Sequence, residues 1–272
     1  MGRGGGYGGD YPIERRLGEV ERLRLQGEVL AADTEVMLDR IGVGPGWRCL
    51  DLACGPQGIT RALSARVGPA GHVTGLDFDA GFTAVAREEA PANVTFVTGD
   101  AYRTGLADAG FDLVHVRFLA CTAGDPERLV AEAVRLARPG GWIALQEADG
   151  STLNCFPPDP AWSRLRRAWL GSFPEGGDDP LAHRLFRLLR RAGLGDVAYR
   201  PSLVGVRSGD PWCDYLPATV ESLRSRVIER GLIAEEDFAP TLAACRAHLA
   251  DPETVFTGFT LVQTWGRVSA VH

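Results

Sequence analysis

Between residues 47 and 147 short apolar runs alternate with stretches of helical periodicity, and this alternation constrains the fold more than any other feature. Residues 47–52, 72–77, 94–98, 111–116 and 142–147 read as buried strands. Between them, residues 59–67, 80–90 and 126–138 read as helices; the last has Asp125 as its N-cap and Pro126 at its first position. Strand–helix alternation implies an α/β fold in which a mostly parallel, doubly wound sheet carries helices on both faces. Strand patterns at 197–206 and 254–265 bring the sheet to seven strands. A helix over 17–41 precedes it, stopped by the Gly42–Gly46 segment with Pro45.

The expected organisation is a flexible leader (1–16), an N-terminal helix (17–44), a core (45–150) and the rest of the sheet (151–272). The last part contains two inserts, 151–179, read as irregular, and 207–252, with helices at 212–230 and 235–249. Strands of a parallel sheet end on one edge, and ligands bind there. Both inserts follow strands that end at that edge, so they and the N-terminal helix are expected to cap one pocket. Aromatic residues Phe156, Trp162, Trp169, Phe173, Trp212 and Tyr215 fall in these inserts. They either line an apolar ligand pocket or pack the cap onto the sheet.

Composition excludes several chemistries. All 29 basic residues are arginine, which rules out a Walker-type phosphate lysine, a Schiff-base lysine and a lysine general base. The net charge of −6 argues against nucleic acid as a partner. Arginine clusters at 164–167 and 187–191 read as solvated helix faces. No apolar run approaches the roughly 20 residues of a membrane span, and no signal peptide opens the chain, so a cytoplasmic location is expected. The six cysteines form no CxxC pair and read as reduced thiols.

The chemistry concentrates in Asp51–Leu52–Ala53–Cys54–Gly55–Pro56–Gln57–Gly58, where a strand runs through a glycine-containing turn into a helix. Backbone N–H groups at such a helix start bind polar ligand groups. Asp77 ends the second strand, where an acid can accept both hydroxyls of a ribose, and Asp100 ends the third. Three acids at consecutive strand ends suit a nucleoside and repel a diphosphate.

These segments, with Gly75–Leu76–Asp77, Gly99–Asp100–Ala101, Phe111–Asp112–Leu113–Val114 and Arg138–Pro139–Gly140–Gly141–Trp142, resemble a class I S-adenosylmethionine-dependent methyltransferase of the small-molecule type, over about residues 45–150. The resemblance implies a Rossmann-like methyltransferase fold and S-adenosylmethionine as cofactor. It places Gly55 under the methionine part, within a loop that includes Ala53 and Gln57, and Asp51 near the amino group. Asp77 takes the ribose hydroxyls beside Phe78, Asp100 the adenine amine, and Ala101 supplies a backbone N–H. Tyr11 and Gln26 belong to stretches that resemble a helix closing over the cofactor in some relatives. The chain departs from the family's Asp-x-Gly-x-Gly-x-Gly loop at Ala53 and at Gln57, and Gly58 is positioned to relieve the second departure.

The expected activity is methyl transfer to a hydrophobic small molecule, mainly by positioning, with general-base help where the acceptor needs it. Candidate bases are His115, Glu147 and His183, with His115 also in the cofactor pocket and Asp149 beside Glu147 at the ligand edge. Arg117 and Phe118 follow the fourth strand and line the pocket; His72, His248 and His272 are assigned no catalytic part. Asp178–Asp179 and Asp77–Phe78–Asp79 are weak metal candidates, and no metal is expected. The alternative is a methyltransferase-fold enzyme that catalyses a cyclisation or rearrangement with the cofactor bound and no net methyl transfer. A nicotinamide oxidoreductase would need G-x-G-x-x-G, of which only Gly55 and Gly58 remain. A non-enzymatic binding module would show a blocked cofactor site. A homodimer is the expected assembly if the chain associates.

Overall fold

The computed structural model describes residues 18–123, 125–173 and 181–270. The leader (1–16), Tyr11, His272 and Asp178–Asp179 lie outside the described residues. The strands are β1 (Arg48–Leu52), β2 (His72–Asp77), β3 (Val94–Thr98), β4 (Phe111–Arg117), β5 (Ala137–Asp149), β6 (Asn154–Phe156), β7 (Gly195–Arg207) and β8 (Val255–Arg267). Parallel pairing runs β3-β2-β1-β4-β5. Antiparallel β8 then lies between β5 and β7, because Thr264 meets Leu145 on one edge and Tyr199 on the other.

The seven expected strands are all present, and an eighth, β6, pairs Cys155 with Phe256 along the edge of β8 that β5 uses lower down. Residues 137–141, read as the helix end and turn, instead belong to β5, whose ladder to β4 slips between Phe111 and Leu113.

The helices are α1 (Glu19–Val29), α2 (Ala31–Ile41), α3 (Thr60–Val67), α4 (Ala80–Glu88), α5 (Ala120–Ala123), α6 (Pro126–Leu136), α7 (Pro160–Gly171), α8 (Leu181–Arg191), α9 (Tyr215–Ser222), α10 (Arg224–Glu229) and α11 (Glu235–Leu249). Two sequence expectations change. The helix read over 17–41 is two helices, broken at Leu30 (φ −89°, ψ 0°). Its halves bury different things: α2 sends Thr34, Met37, Leu38 and Ile41 inward, whereas α1 buries the polar Glu19 and Gln26 and reaches α9. The insert at 151–179 is not irregular throughout. Asp159 caps α7 by accepting from the Trp162 N–H at 2.7 Å, and Pro160 takes the first helical position. This repeats the arrangement at α6, where Asp125 accepts from the Arg128 N–H at 3.0 Å before the buried face Leu129, Val130, Ala133 and Leu136.

Alternation along the central strands sorts side chains into two cores. Cys49, Val73, Leu113 and Ala144 meet Met37 and Leu38 of α2 and Leu63 and Val67 of α3 on one face. Leu50, Leu52, Val114, Val116 and Leu145 meet Leu129 and Ala133 of α6 and Leu185 and Leu189 of α8 on the other. A third core joins Trp162, Leu165 and Trp169 of α7 to Leu216 and Val220 of α9, Phe238 and Leu242 of α11, and Phe256 and Phe259 of β8. Trp162 and Trp169 are therefore packing residues, and Phe156 is exposed. All six cysteines are free. Among the described residues no helix is long and apolar enough to cross a membrane.

Candidate functional site

β1 delivers the chain into the loop 53–58 at the carboxyl edge of the sheet. Three of its residues have left-handed backbones: Ala53 (φ +58°), Gly55 (φ +59°) and Gly58 (φ +51°). An L side chain there costs about 1–2 kcal/mol, so Ala53 sits under local strain where the family pattern has glycine. A Cβ built on Gly55 meets nothing within 4 Å, so the loop's outer surface is open there. At Gly58 the same Cβ would lie 2.0 Å from Asp51 Oδ2 and 2.8 Å from the Cys54 carbonyl oxygen. Gly58 thus supplies the close approach that Gln57 does not. Gln57 lines a cleft of about 280 Å³ bounded by α1, α3 and α4.

Asp51 lies beneath the loop rather than facing the ligand space. Its Oδ2 accepts from the Ile59 N–H at 2.7 Å, and its Oδ1 lies 2.7 Å from His115 Nδ1. His115 is fully buried, and its Nε2 lies 2.9 Å from Gln146 Oε1. Gln146 continues the chain to Thr34 of α2 by donating from Nε2 to Oγ1 at 3.2 Å. His115 therefore offers no open ring nitrogen; the base and cofactor contacts expected of it are replaced by a strut that ties β1, β4, β5 and α2 together. His115→Leu strands two buried acceptors and is expected to lower stability by about 2 kcal/mol. Urea unfolding would show this as a lower midpoint, and His115→Gln should recover part of it.

Asp77 holds the loop from the second strand. Its Oδ2 accepts from the Gly55 N–H at 2.7 Å and its Oδ1 from the Asp79 N–H at 2.8 Å. Burial raises its pKa, and these two N–H groups oppose the rise. Phe78 follows and is 69% exposed. Asp100 Oδ1 accepts from the Tyr102 N–H at 2.8 Å, and Ala101 is buried beside it. The structure therefore brings Ala53, Gly55, Asp77, Phe78, Asp100 and Ala101 to neighbouring strand ends, β1, β2 and β3. Gln26 is buried on α1, next to Gly27, where an added Cβ would lie 3.7 Å from Arg117 Nη2.

The other two candidate bases lie on the opposite face of the sheet. Glu147 is 1% exposed, and its Oε1 accepts from the Ala120 N–H at 2.7 Å. Burial pushes its pKa up to about 7. His183 opens α8 and lies with Nε2 2.9 Å from Asp149 Oδ2 and Nδ1 2.5 Å from the Tyr199 hydroxyl. The carboxylate only accepts, so His183 donates from Nε2 and accepts a hydrogen bond from the Tyr199 hydroxyl at Nδ1. Sequence reasoning missed Gln146, Thr34 and Tyr199. A glutamine inside the apolar run of β5 is the one local signal that pointed to the buried network. Among the described residues no group of three metal-ligating side chains converges.

The sheet order and the acid-ended strands define the fold of the class I S-adenosylmethionine-dependent methyltransferases. Residues 50–145 match the family described as "Methyltransferase domain". Demethylmenaquinone methyltransferase of Staphylococcus aureus (strain JH9) is 37% identical over 123 residues, 44% of this chain and 51% of that protein. The chain spans about half the length of the curated relatives it matches. A protein described as a type II methyltransferase from Anaeromyxobacter dehalogenans superposes with a TM-score of 0.58 at 21% identity, over 87% of this chain and 97% of the other. The cyclase SpnF does so with a TM-score of 0.52 at 19% identity, over 95% and 87%. At these identities the two structures speak to the fold alone.

Proposed function

We propose that this protein transfers a methyl group from S-adenosylmethionine to an apolar small molecule. The observation that carries the reading is the open, left-handed turn at Gly55, pinned by Asp77 from the next strand. Gly55 leaves room for the methionine part. Asp77 retains lone pairs for the ribose hydroxyls, the exposed Phe78 gives the adenine a face, and Asp100 with the Ala101 N–H meets its edge. The site has acceptors and no lysine, which suits a cationic nucleoside. When bound, S-adenosylmethionine supplies a methyl on a sulfonium. The chain's own part is to hold the acceptor in line with that methyl, which by itself accounts for a large rate effect.

S-adenosylhomocysteine is expected to bind with a Kd of order 1–100 μM by calorimetry, in the range of ordinary enzyme ligands. No heat of binding at millimolar ligand would end this reading. The second reading, cyclisation or rearrangement with the cofactor retained, draws on the likeness to SpnF and on Gln57 in the loop. Product analysis separates the two: methyl transfer releases one S-adenosylhomocysteine per turnover, and rearrangement releases none.

A further inference from the structure

On the α8 face of the sheet three side chains stand in series, and the proposed methyl transfer uses none of them. Asp149 ends β5, His183 lies in the first turn of α8, and Tyr199 lies on β7. Asp149 is buried, and Ser151 donates to both of its oxygens at 2.9 Å, from the backbone N–H to Oδ1 and from the hydroxyl to Oδ2. Burial works against the carboxylate, but the bonds from His183 and Ser151 outweigh it and hold its pKa below the ordinary value. Asp149 is therefore charged near neutral pH and accepts the His183 Nε2–H at 2.9 Å. This fixes the tautomer of a neutral ring, with Nδ1 as the acceptor. Nδ1 lies 2.5 Å from the Tyr199 hydroxyl oxygen. A hydroxyl, a base within hydrogen-bond reach and a third group that orients the base form the arrangement that activates a weak nucleophile.

The outer member of the series is accessible. Tyr199 is 40% exposed, and its bond to His183 lies at the surface. Among the described residues β7 pairs with β8 alone, so its other edge is open. Strand alternation puts Pro201 and Leu203 on the same face as Tyr199, and both are exposed. Phe186 stands edge-on to the Tyr199 ring at 6.2 Å. The hydroxyl is thus flanked by apolar surface. Burial, and after it the Asp149 charge, raises the Tyr199 pKa, so the phenol is held as a neutral hydroxyl. Its proton leaves as the oxygen attacks, as in other hydroxyl nucleophiles paired with histidine.

We propose that Tyr199 is a nucleophile that takes an acyl group from an activated ester of an apolar acid, with His183 as its general base and Asp149 as the positioning residue. The Tyr199 oxygen bonds to the ester carbonyl carbon, and the bond from that carbon to the leaving oxygen breaks. The Tyr199 proton passes to His183 Nδ1. The imidazolium, paired with Asp149, then gives a proton to the leaving oxygen or to water. The products are O-acyl-Tyr199 and the alcohol or phenol of the ester, with no change of oxidation state. This step is independent of the methyl-transfer reading.

The test uses the full chain and p-nitrophenyl butyrate, whose p-nitrophenolate product absorbs in the visible, with peptide mass spectrometry to locate the butyryl group. Tyr199 is expected to be acylated about 100-fold faster than N-acetyltyrosinamide at the same pH, within the range of general-base catalysis. Tyr199→Phe, which keeps the ring beside Phe186, should remove the fast release of p-nitrophenolate. His183→Gln should bring acylation of Tyr199 to within about threefold of N-acetyltyrosinamide, because the base is gone. Asp149→Asn should slow acylation by more than about tenfold through loss of the fixed tautomer, and Asp149→Glu should recover part of the rate. Urea midpoints report whether each variant is folded. Acylation of Tyr199 no faster than that of N-acetyltyrosinamide, a fast phase that survives in Tyr199→Phe, or a folded His183→Gln variant with the wild-type rate overturns the proposal.

Discussion

Gly58→Ala is expected to lower stability by roughly 3–4 kcal/mol, the sum of a left-handed backbone penalty and overpacking. The added methyl would lie 2.0 Å from Asp51 Oδ2 and 3.0 Å from Cys54 Cβ, at φ +51°. Asp51 cannot swing aside cheaply, because Ile59 and His115 hold its two oxygens at 2.7 Å each. Relief must come from opening the loop, so S-adenosylhomocysteine affinity should fall by more than about 100-fold as well. Gly55→Ala separates the two effects. Its φ is similar, +59°, but its Cβ meets nothing within 4 Å. That variant should lose only about 1–2 kcal/mol of stability, while its methyl enters the space assigned to the cofactor. Ala53→Gly, at φ +58°, should shift stability the other way by about 1 kcal/mol. Urea denaturation and calorimetry on the three variants give six numbers with a fixed pattern of signs. Equal stabilities for Gly58→Ala and Gly55→Ala would contradict the role given to Asp51.

The core of the fold was legible because the strands are continuous apolar runs bounded by Gly, Pro and Asp. β2 and β3 begin and end where the pattern places them, His72–Asp77 and Val94–Thr98. The helix α7 was missed although Asp159–Pro160 repeats the Asp125–Pro126 signal, because the surrounding Pro and Gly content masked it. The break at Leu30 was illegible for a different reason. It arises from two partners, the sheet and α9, and one-dimensional periodicity registers neither. At the site, the strand-end acids could be placed from spacing, but what they face could not. Asp51 looked open to ligand and is 1% exposed; His115 looked like a base and is saturated by Asp51 and Gln146. Burial of a polar side chain depends on residues distant in sequence: His115 and Gln146 are separated by 31 positions, and His115 and Asp51 by 64.

Glu147→Gln is expected to stabilise the protein above neutral pH, by up to about 3 kcal/mol, and to flatten part of its pH dependence. The carboxyl is 1% exposed between β5 and α5. Among the described residues its Oε2 has no hydrogen-bond partner, and burial is the largest influence on its pKa, which stands at about 7. Hydrogen bonds from the Cys121 side chain and the backbone of Leu119, Ala120 and Cys121 oppose that rise without cancelling it. In the unfolded chain a glutamate titrates near about 4.3. Below that pH both states carry the proton, and this residue's contribution is fully present. Between about 4.3 and 7 the native state keeps a proton that the unfolded state has lost, so stability falls as pH rises. Above about 7 the native carboxylate is charged in an apolar setting and the loss is complete. Glutamine keeps an oxygen for the Ala120 N–H, now at 2.7 Å, and carries no charge at any pH. Subtracting the variant's urea-derived stability from the wild type's across pH 4–9 isolates the residue from every other titrating group. A difference that does not change between about pH 5 and 8 would show that the buried carboxyl is ionised throughout, and the link between its burial and its proton would fail.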